Sequence, residues 1–385
     1  MKKQIFIKTY TNAGVFKGVF FDFIFSSFSN SLNGGLGDLT VTVPRKWDEY
    51  NSDSAIVIGY ELKIYIADEE NTSGIQIYSG EIDSINASVS GGGESVTINC
   101  SGYVHQLATD LMEYAGKTIY KKYTTTEISA IIKDMLDNYQ ARRGDDRITY
   151  DVGATTIDST AKSITLEVFC ESPLEAIQHA SIEADSDWFW RIGVDNNFYF
   201  TDIPTTPTHL FQMGKDIIEI NTNRNIRDTK TSILVTNGLA SGDGDVIMQR
   251  YTDSTATAEY GRRIERKRDG RYKATAGKAD EFANRTLDIF KDPINVVKIR
   301  VIDSNLAGGY DIESIKPGDT CKIINITDND ALSDNMLITT ITYSIDYVDL
   351  TLADTTSFVN RELLNRKNDN RIVAFTDDQP HTYTT

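Results

Sequence analysis

Three kinds of feature are scarce in this 385-residue chain, and each scarcity excludes a class of protein. Its three cysteines, Cys100, Cys170 and Cys321, lie far apart without a C-x-x-C pair, which argues against a disulfide framework and a cysteine-ligated zinc or iron–sulfur site. Its four histidines are scattered, and none begins the motif H-E-x-x-H. The sequence therefore predicts no metal and no cofactor, and three small buried thiols in a reducing setting.

Long apolar runs and positive charge are scarce as well. No run of eighteen apolar residues occurs, and the first residues are strand-like rather than a signal-peptide core, so we expect neither a membrane anchor nor a cleaved export signal. Lys and Arg number 39 against 56 Asp and Glu, a net charge of −17. Gripping DNA by its phosphates requires a cationic surface, so this balance argues against such a protein, although not against one that DNA slides past.

The hydrophobic pattern divides the chain into parts, as its length predicts. Residues 1–103 alternate with a period of two between Gly-rich turns, which indicates a β-barrel or sandwich. Residues 104–205 change to helical spacing and predict a smaller α+β domain. Strand patterns return over residues 206–355 around one inserted helix at 277–291, and residues 356–385 form a polar extension. The predicted fold class is α+β, predominantly β.

A capped helix followed by an aromatic hairpin is the most distinctive local pattern. Ser-Pro-Leu-Glu at 172–175 forms a capping box with a proline in the first turn. Residues 188–194 alternate like a strand, and Asp-Asn-Asn at 195–197 predicts the turn of a hairpin. The rings of Trp188 and Trp190 suit two roles: packing in a core, the commoner fate of such residues, or stacking on sugars.

Two short sequence matches link the two β regions. Gly59-x-x-x-Lys63-Ile64 recurs as Gly318-x-x-x-Lys322-Ile323, and Ile82-x-Ser84-Ile85 resembles Ile341-x-x-Ser344-Ile345. Strand sequences resemble one another easily, so chance is one explanation. The matching order of elements favours the other, a duplicated barrel.

Candidate catalytic residues are weak. Cys170 and His179 could act as nucleophile and base, but a packed thiol and a surface histidine are the commoner reading. The acidic pairs Asp185/Asp187 and Asp243/Asp245 could act as glycosidase acid and base, yet such pairs are expected by chance among 56 acidic residues. The segment Asp328–Asp330 begins like a calcium loop but lacks its later ligands. We therefore predict no catalytic residue.

One basic stretch stands out against the acidic background. It lies within residues 261–273, beside only two acidic residues. A DNA contact is one reading, and a solvated strand or salt bridges to an acidic neighbouring subunit is the one we favour. The candidate subunit-contact residues are Arg262, Arg263, Arg266, Lys267 and Arg268.

The order of these elements resembles a known family. A strand domain, an insert with an S-P-L-E-A-I helix and a W-F-W…D-N-N-F-Y-F hairpin, and a second strand domain with Ile-Lys-Pro-Gly-Asp-Thr-Cys at 315–321 are similar to the baseplate hub proteins of tailed phages. This family, of the T-even hub type, includes the hub region of tail-associated, tail-tip proteins. The resemblance covers about residues 5–355.

The resemblance implies a fold and a function. Family members carry two tail-tube-like β-barrels per subunit with smaller domains, and three subunits form a pseudo-sixfold ring. It thus implies a non-enzymatic virion protein, assembled in the host cytoplasm as a homotrimer. Its implied partners are the tail tube or distal tail ring and a tip fibre, spike or receptor-binding protein.

The acidic balance gains a role under this reading, because a lumen lined with carboxylates repels the DNA that passes through it. Two alternatives remain open at this point: a tail-associated hydrolase of cell-wall sugar or peptide, and a carbohydrate-binding module that uses Trp188 and Trp190.

Overall fold

The computed structural model describes residues 3–44, 55–67, 72–90, 93–109, 111–114, 119–143, 147–151, 156–184, 187–226, 229–239, 246–269, 276–303, 309–324 and 335–353. They are predominantly strands in several sheets with few helices, which confirms the predicted fold class. The described residues up to Thr222 and from Val297 form one compact unit, the main unit, and those of Asn223–Val296 form a second, the inserted unit. The predicted four-part division of the chain stays a prediction.

The first part of the main unit is a seven-stranded antiparallel sheet. Its order is β2-β1-β7-β8-β9-β6-β3, and β4 and β5 lie outside it. Alternating apolar residues form these strands because every second side chain reaches the core, as in the fully alternating burial of β6. The strands are β1 (Gln4–Tyr10), β2 (Phe16–Phe20), β3 (Ile24–Phe25), β4 (Phe28–Ser31), β5 (Gly35–Leu36), β6 (Leu39–Val43), β7 (Glu61–Ala67), β8 (Ile75–Ser90) and β9 (Gly93–Gly102).

A small α+β region follows with its own core. Its elements are α1 (Val104–Thr109), β10 (Tyr120–Glu127), α2 (Ile128–Arg143), β11 (Ser163–Phe169), α3 (Pro173–Glu183), β12 (Trp188–Ile192) and β13 (Phe198–Asp202). Helix α2 buries Ile131, Ile132 and Met135 at the predicted spacing. Thr124 and Glu127 have the spacing of a helix capping box, but residues 124–127 continue strand β10, and Glu127 instead accepts a hydrogen bond from Ser129 inside the helix.

The remaining elements form two further sheets. They are β14 (His209–Gln212), β15 (Ile217–Asn225), β16 (Ser232–Leu239), β17 (Val246–Thr252), α4 (Ser254–Glu259), β18 (Glu265–Asp269), α5 (Ala276–Phe290), β19 (Ile294–Ile302), β20 (Thr320–Ile324), β21 (Met336–Tyr343) and β22 (Tyr347–Ala353). Strands β14-β20-β21-β22-β19-β15 form the second large sheet in that order, and β4 also pairs with β21.

The two large sheets repeat one connectivity. Six strands of the first sheet correspond one by one to six strands of the second, both in chain order and in their order within the sheet. In chain order, the first set is β1, β3, β6, β7, β8 and β9, and the second set is β14, β15, β19, β20, β21 and β22. One pairing differs, because β1 is antiparallel to β7 whereas β14 is parallel to β20. The main unit therefore contains two copies of a six-strand arrangement, in agreement with the predicted duplication.

A single hydrophobic core joins these repeats. The ring of Phe28 stacks on Tyr343 of the second sheet, with centroids 5.0 Å apart, and meets Tyr78 of the first sheet edge-on at 4.9 Å. Its strand, β4, pairs antiparallel with β21, so a segment from the first repeat extends the second sheet. Residues 28–36 are thus shared between the predicted first and second β regions.

The inserted unit is a three-stranded sheet with a helix on one face. The strand order is β17-β16-β18, and α5 covers Ile233 and Val235 of β16 with Ala283 and Leu287. The sequence assigns the strand at 232–235 to the second β domain, but it pairs in this separate sheet. The helix predicted at 277–291 is observed one residue earlier, as Ala276–Phe290.

Candidate functional site

The predicted capping box at the start of α3 is confirmed. The Glu175 backbone N–H donates to Ser172 Oγ at 3.2 Å, and the Ser172 backbone N–H donates to Glu175 Oε2 at 2.9 Å. Two otherwise free donors of the helix N-terminus are satisfied in this way. The cap fixes where α3 begins, and the aromatic hairpin of β12 and β13 comes directly after this helix in the chain.

The aromatic hairpin is packed on both faces. Trp190 is fully buried and stacks on Phe198 at 5.4 Å, whereas Trp188 is half-buried and lies 5.1 Å from Phe200. Phe189, on the opposite face of β12, is only 2% exposed. Because neither face of the Trp190 ring is open, a sugar cannot stack on it, and the packed-core reading fits its geometry.

Two asparagines at positive φ hold this hairpin against the first repeat. Asn33, with φ of 52°, donates its backbone N–H to the Trp190 carbonyl at 2.8 Å and accepts the Trp190 N–H at 2.9 Å. Asn196, with φ of 64° in the predicted turn, accepts a hydrogen bond from Ser79 Oγ at 2.7 Å. Asparagine tolerates this left-handed backbone better than most residues, so its short polar side chain suits both positions.

The repeated glycines, Gly59 and Gly318, have similar backbones and different surroundings. Their φ angles are 85° and 94°, and each precedes the corresponding strand, β7 or β20. A Cβ at Gly318 would overlap the ring of Phe189, whereas the nearest atom to one at Gly59 is Asn12 Nδ2 at 3.8 Å. The Ile-Lys-Pro-Gly-Asp segment that carries part of the resemblance is therefore also where the hairpin docks on the second repeat.

A buried ionic cluster joins the chain start to the second repeat. Lys3 Nζ lies 2.8 Å from both Asp303 and Glu313, and all three side chains are at most 5% exposed. Burial alone would lower the pKa of Lys3, but the hydrogen bonds to Asp303 and Glu313 outweigh it and raise that pKa. No local sequence signal indicates this cluster, because its members are some 300 positions apart.

The basic stretch is divided between two environments. Arg262, Arg263 and Lys267 are exposed, whereas Arg266 is half-buried with its guanidinium 4.8 Å from the centre of the Phe290 ring. Arg268 of β18 pairs through its backbone with Val235 of β16, and the side chain of Arg268 lies outside the described part of the structure. The structure thus leaves part of the stretch facing solvent. Its role as a subunit contact stays a prediction.

The cysteines only partly follow the prediction. Cys100 and Cys321 are buried, and burial raises the pKa of the Cys321 thiol to about 12, which keeps it protonated. The prediction of a buried thiol is wrong for Cys170, which is exposed at φ 50° because its strand ends there. The neighbouring His179 pairs through Nδ1 with Glu171 at 2.7 Å.

The other candidates for chemistry give no assembled site. Asp187 is described, whereas Asp185, both members of the pair Asp243/Asp245 and the segment Asp328–Asp330 lie outside the described residues. Within the ranges that the structure describes, no three His, Cys, Asp or Glu side chains converge as a metal site would require. The described helices include none that is both long and apolar enough to cross a membrane.

Comparisons with known proteins find relatives by structure alone. No family model and no curated protein matches the sequence. The 43 kDa tail protein of prophage MuSo2 from Shewanella oneidensis superposes with a TM-score of 0.61 at 13% identity, over 92% of this chain and 98% of that one. A tail protein of Neisseria meningitidis gives 0.61 at 12% identity, over 91% and 97%.

A third similar structure is also that of a phage tail protein. The prophage tail protein gp18 of Listeria monocytogenes superposes with a TM-score of 0.55 at 13% identity, over 94% of this chain and 98% of that one. All three matches extend over almost the whole of both chains, so the similarity is one of complete architecture rather than of a shared motif. The chain therefore has the fold of phage tail proteins.

Proposed function

We propose that this protein is a non-enzymatic structural hub of a phage tail, which forms a homotrimeric ring between the tail tube and the host-recognition tip. The fold of phage tail proteins supports a structural role in the tail. We infer a location in the virion from the same fold, with assembly in the host cytoplasm.

The repeat within the main unit carries this proposal. Two sheets with one connectivity occur in each chain, so three chains would present six similar arrangements. A closed trimer could then match a sixfold tube on one side and a threefold tip on the other. Without an internal repeat, a threefold ring would offer a sixfold partner only three equivalent surfaces.

The charge of the chain supports passage of DNA without binding. With a net charge of −17, the protein as a whole repels phosphate. We therefore propose that the ring lets DNA pass without gripping it. Its neighbours would be the tube or distal tail ring above and a fibre, spike or receptor-binding protein below.

The mass of the protein in solution tests the proposal. Light scattering after size-exclusion chromatography should give about three times the chain mass of 43.0 kDa. Electron microscopy of the same sample should show rings with six similar inner lobes. Every second lobe should carry additional density, because only the second repeat contains the inserted unit.

Two results would contradict the hub. One is a monomer at all concentrations, including in the presence of the tail tube protein of the same phage. The other is turnover of purified cell wall that disappears when a particular carboxylate is substituted, which would establish the hydrolase instead.

A further inference from the structure

Charge is distributed unevenly between the two units. Residues 223–296 contain 14 Lys or Arg against 11 Asp or Glu, a net charge of +3, whereas the rest of the chain contains 25 against 45, a net charge of −20. A local excess of cations within so acidic a chain creates a field that favours a negatively charged partner. The inserted unit is therefore where such a partner would be recognised.

The register of the small sheet shows which cations share a face. Leu234 in β16 lies opposite Arg250 of β17 on one side and Lys267 of β18 on the other. Its neighbours Ile233 and Val235 pack under α5. Since successive side chains alternate between the faces of a sheet, Arg250 and Lys267 belong to the face opposite α5. Leu234 is half-buried between them.

The alternation of side chains along the strands excludes Arg266 from this face and adds Arg250 to it. Arg266 lies opposite Ile233, on the helix side, where its guanidinium covers the Phe290 ring. Arg250, which lies outside the basic stretch in sequence, joins Lys267 instead. Arg262 and Arg263 are exposed immediately before β18. We call this set, Arg250, Arg262, Arg263 and Lys267 around Leu234, the basic face.

One carboxylate lies within the basic face and stays ionised there. Glu265 accepts a hydrogen bond from Arg250, and this bond, with the charges of Arg250 and Arg263, lowers the pKa of Glu265. It neutralises part of the charge and fixes the Arg250 side chain. The basic face keeps a net positive charge, arranged around a half-buried leucine, and a central apolar residue with a polar rim is the usual composition of a protein interface.

We propose that the basic face docks onto an acidic surface of a second copy of this chain. The net charge of −20 outside residues 223–296 supplies the complementary partner, whereas the same charge repels a nucleic acid approaching the molecule. This inference rests on the proposed homotrimer and names one of its contacts.

Charge reversal tests the inference. The triple variant Arg262→Glu/Arg263→Glu/Lys267→Glu should lose the trimer at concentrations where the wild type is fully assembled. The matched control Lys215→Glu/Lys316→Glu/Lys322→Glu changes the charge by the same amount at exposed lysines of the main unit. The control should stay trimeric. Circular dichroism and the melting temperature establish that both variants are folded, and sedimentation velocity measures their mass.

Salt gives a second readout that needs no variant. If cations of the basic face hold the contact, the trimer dissociation constant should rise at least tenfold between 0.1 and 1 M NaCl, because the screening length falls from about 10 Å to about 3 Å over that range. A dissociation constant that does not change with salt would overturn the ionic contact.

The other outcomes separate the two proposals. A folded triple variant that assembles like the wild type overturns the basic-face contact and leaves the trimer standing. A wild type that never assembles overturns the proposed trimer itself. A triple variant that stays trimeric but loses retention of duplex DNA shown by the wild type would overturn the protein contact in favour of nucleic acid.

Discussion

The two repeats of the main unit share a strand order and differ in what connects their second and third corresponding strands. In the first repeat, the connection from β3 to β6 is short and contributes β4, which pairs with β21 of the second sheet, and β5, which pairs with β4. In the second repeat, the connection from β15 to β19 contains the whole inserted unit. Much of the difference between the repeats therefore lies in this one connection. The same place serves to join the repeats in one case and to add a new sheet in the other.

The repeats also differ in their outward-facing contacts. Strands β6 and β9 of the first repeat are linked by neutral hydrogen bonds, such as Thr40 Oγ1 to Asn99 Oδ1 at 3.0 Å. The corresponding β19 and β22 carry an ion pair, in which Arg300 Nε lies 2.7 Å from Asp349 Oδ1. Corresponding strand pairs of the two repeats therefore use different side-chain contacts, and substitutions can measure what each contributes.

The largest expected effect comes from the ring that joins the repeats. Phe28→Ala should lower the free energy of unfolding by about 3 to 5 kcal/mol, because it opens a cavity between Tyr78 and Tyr343. Phe16→Ala, at a ring 53% exposed, should cost under about 1 kcal/mol. Urea unfolding followed by tryptophan fluorescence measures both. Equal small losses would mean that the two repeats do not depend on this contact.

The next effect comes from the ionic cluster between the chain start and the second repeat. Lys3→Met should cost about 3 kcal/mol, because it removes the ammonium group that pairs with the buried carboxylates of Asp303 and Glu313. Lys17→Met, at an exposed lysine, should be nearly neutral. Urea midpoints at pH 8 give the comparison. A neutral Lys3→Met would show that the cluster does not hold the repeats together.

The pH dependence of the Lys3 effect has a definite sign. The pKa of Lys3 is raised in the folded protein, so its stabilisation is complete below the unfolded pKa of about 10.4 and is lost as pH rises through the folded value. The difference in stability between wild type and Lys3→Met should therefore be constant from pH 8 to 10 and shrink above that. A difference that grows with pH would contradict the assigned direction.

The corresponding glycines Gly59 and Gly318 allow the two repeats to be compared at a single position. Gly59→Ala should cost about 1 to 2 kcal/mol, from the positive φ alone. Gly318→Ala should cost about 1 to 3 kcal/mol more, because its Cβ also overlaps the Phe189 ring. The double variant Gly318→Ala/Phe189→Leu should recover part of this excess in urea unfolding. Equal costs at the two glycines would show that the ring moves freely.

The smallest effect distinguishes the two cross-strand contacts. Arg300→Gln and Thr40→Val should each cost about 1 kcal/mol or less, since both contacts lie near the surface. Only the loss at Arg300 should shrink when NaCl is raised from 0.1 to 1 M, because salt screens an ion pair and not a neutral hydrogen bond. Thermal unfolding at both salt concentrations makes the measurement. Identical salt responses would show that the ion pair contributes nothing.

Local features were predictable because their causes lie within a few residues. The capping box at Ser172 and Glu175 involves neighbours three positions apart. The β22 strand buries Val348, Leu350 and Leu352 in strict alternation, which the sequence shows directly. Helix α5 was placed to within one residue, with Pro293 just beyond its end. Short-range hydrogen bonding and periodic burial are the physical basis of each.

Pairings between distant segments were not predictable. The pairing of β4 with β21 brings together residues about 300 positions apart, and nothing in either segment specifies it. The burial of Lys3 depends on the same long-range closure. The sequence does not indicate the separate sheet around β16 for a related reason: the pattern of this strand is the same whichever sheet it joins. The exposure of Cys170 depends on where β11 ends against its neighbours.

The strand periodicity, the capped helix, the hairpin turn, the acidic balance and the two repeated glycines can all be recognised from the amino-acid sequence, because each depends on adjacent residues or on composition. Three features become visible only in the folded chain: Phe28 joins the two repeats, Phe189 occupies the space beside Gly318, and Arg266 and Lys267 lie on opposite faces of one strand. Such contacts depend on which distant surfaces meet. Chain closure brings those surfaces together, and local propensity does not encode it.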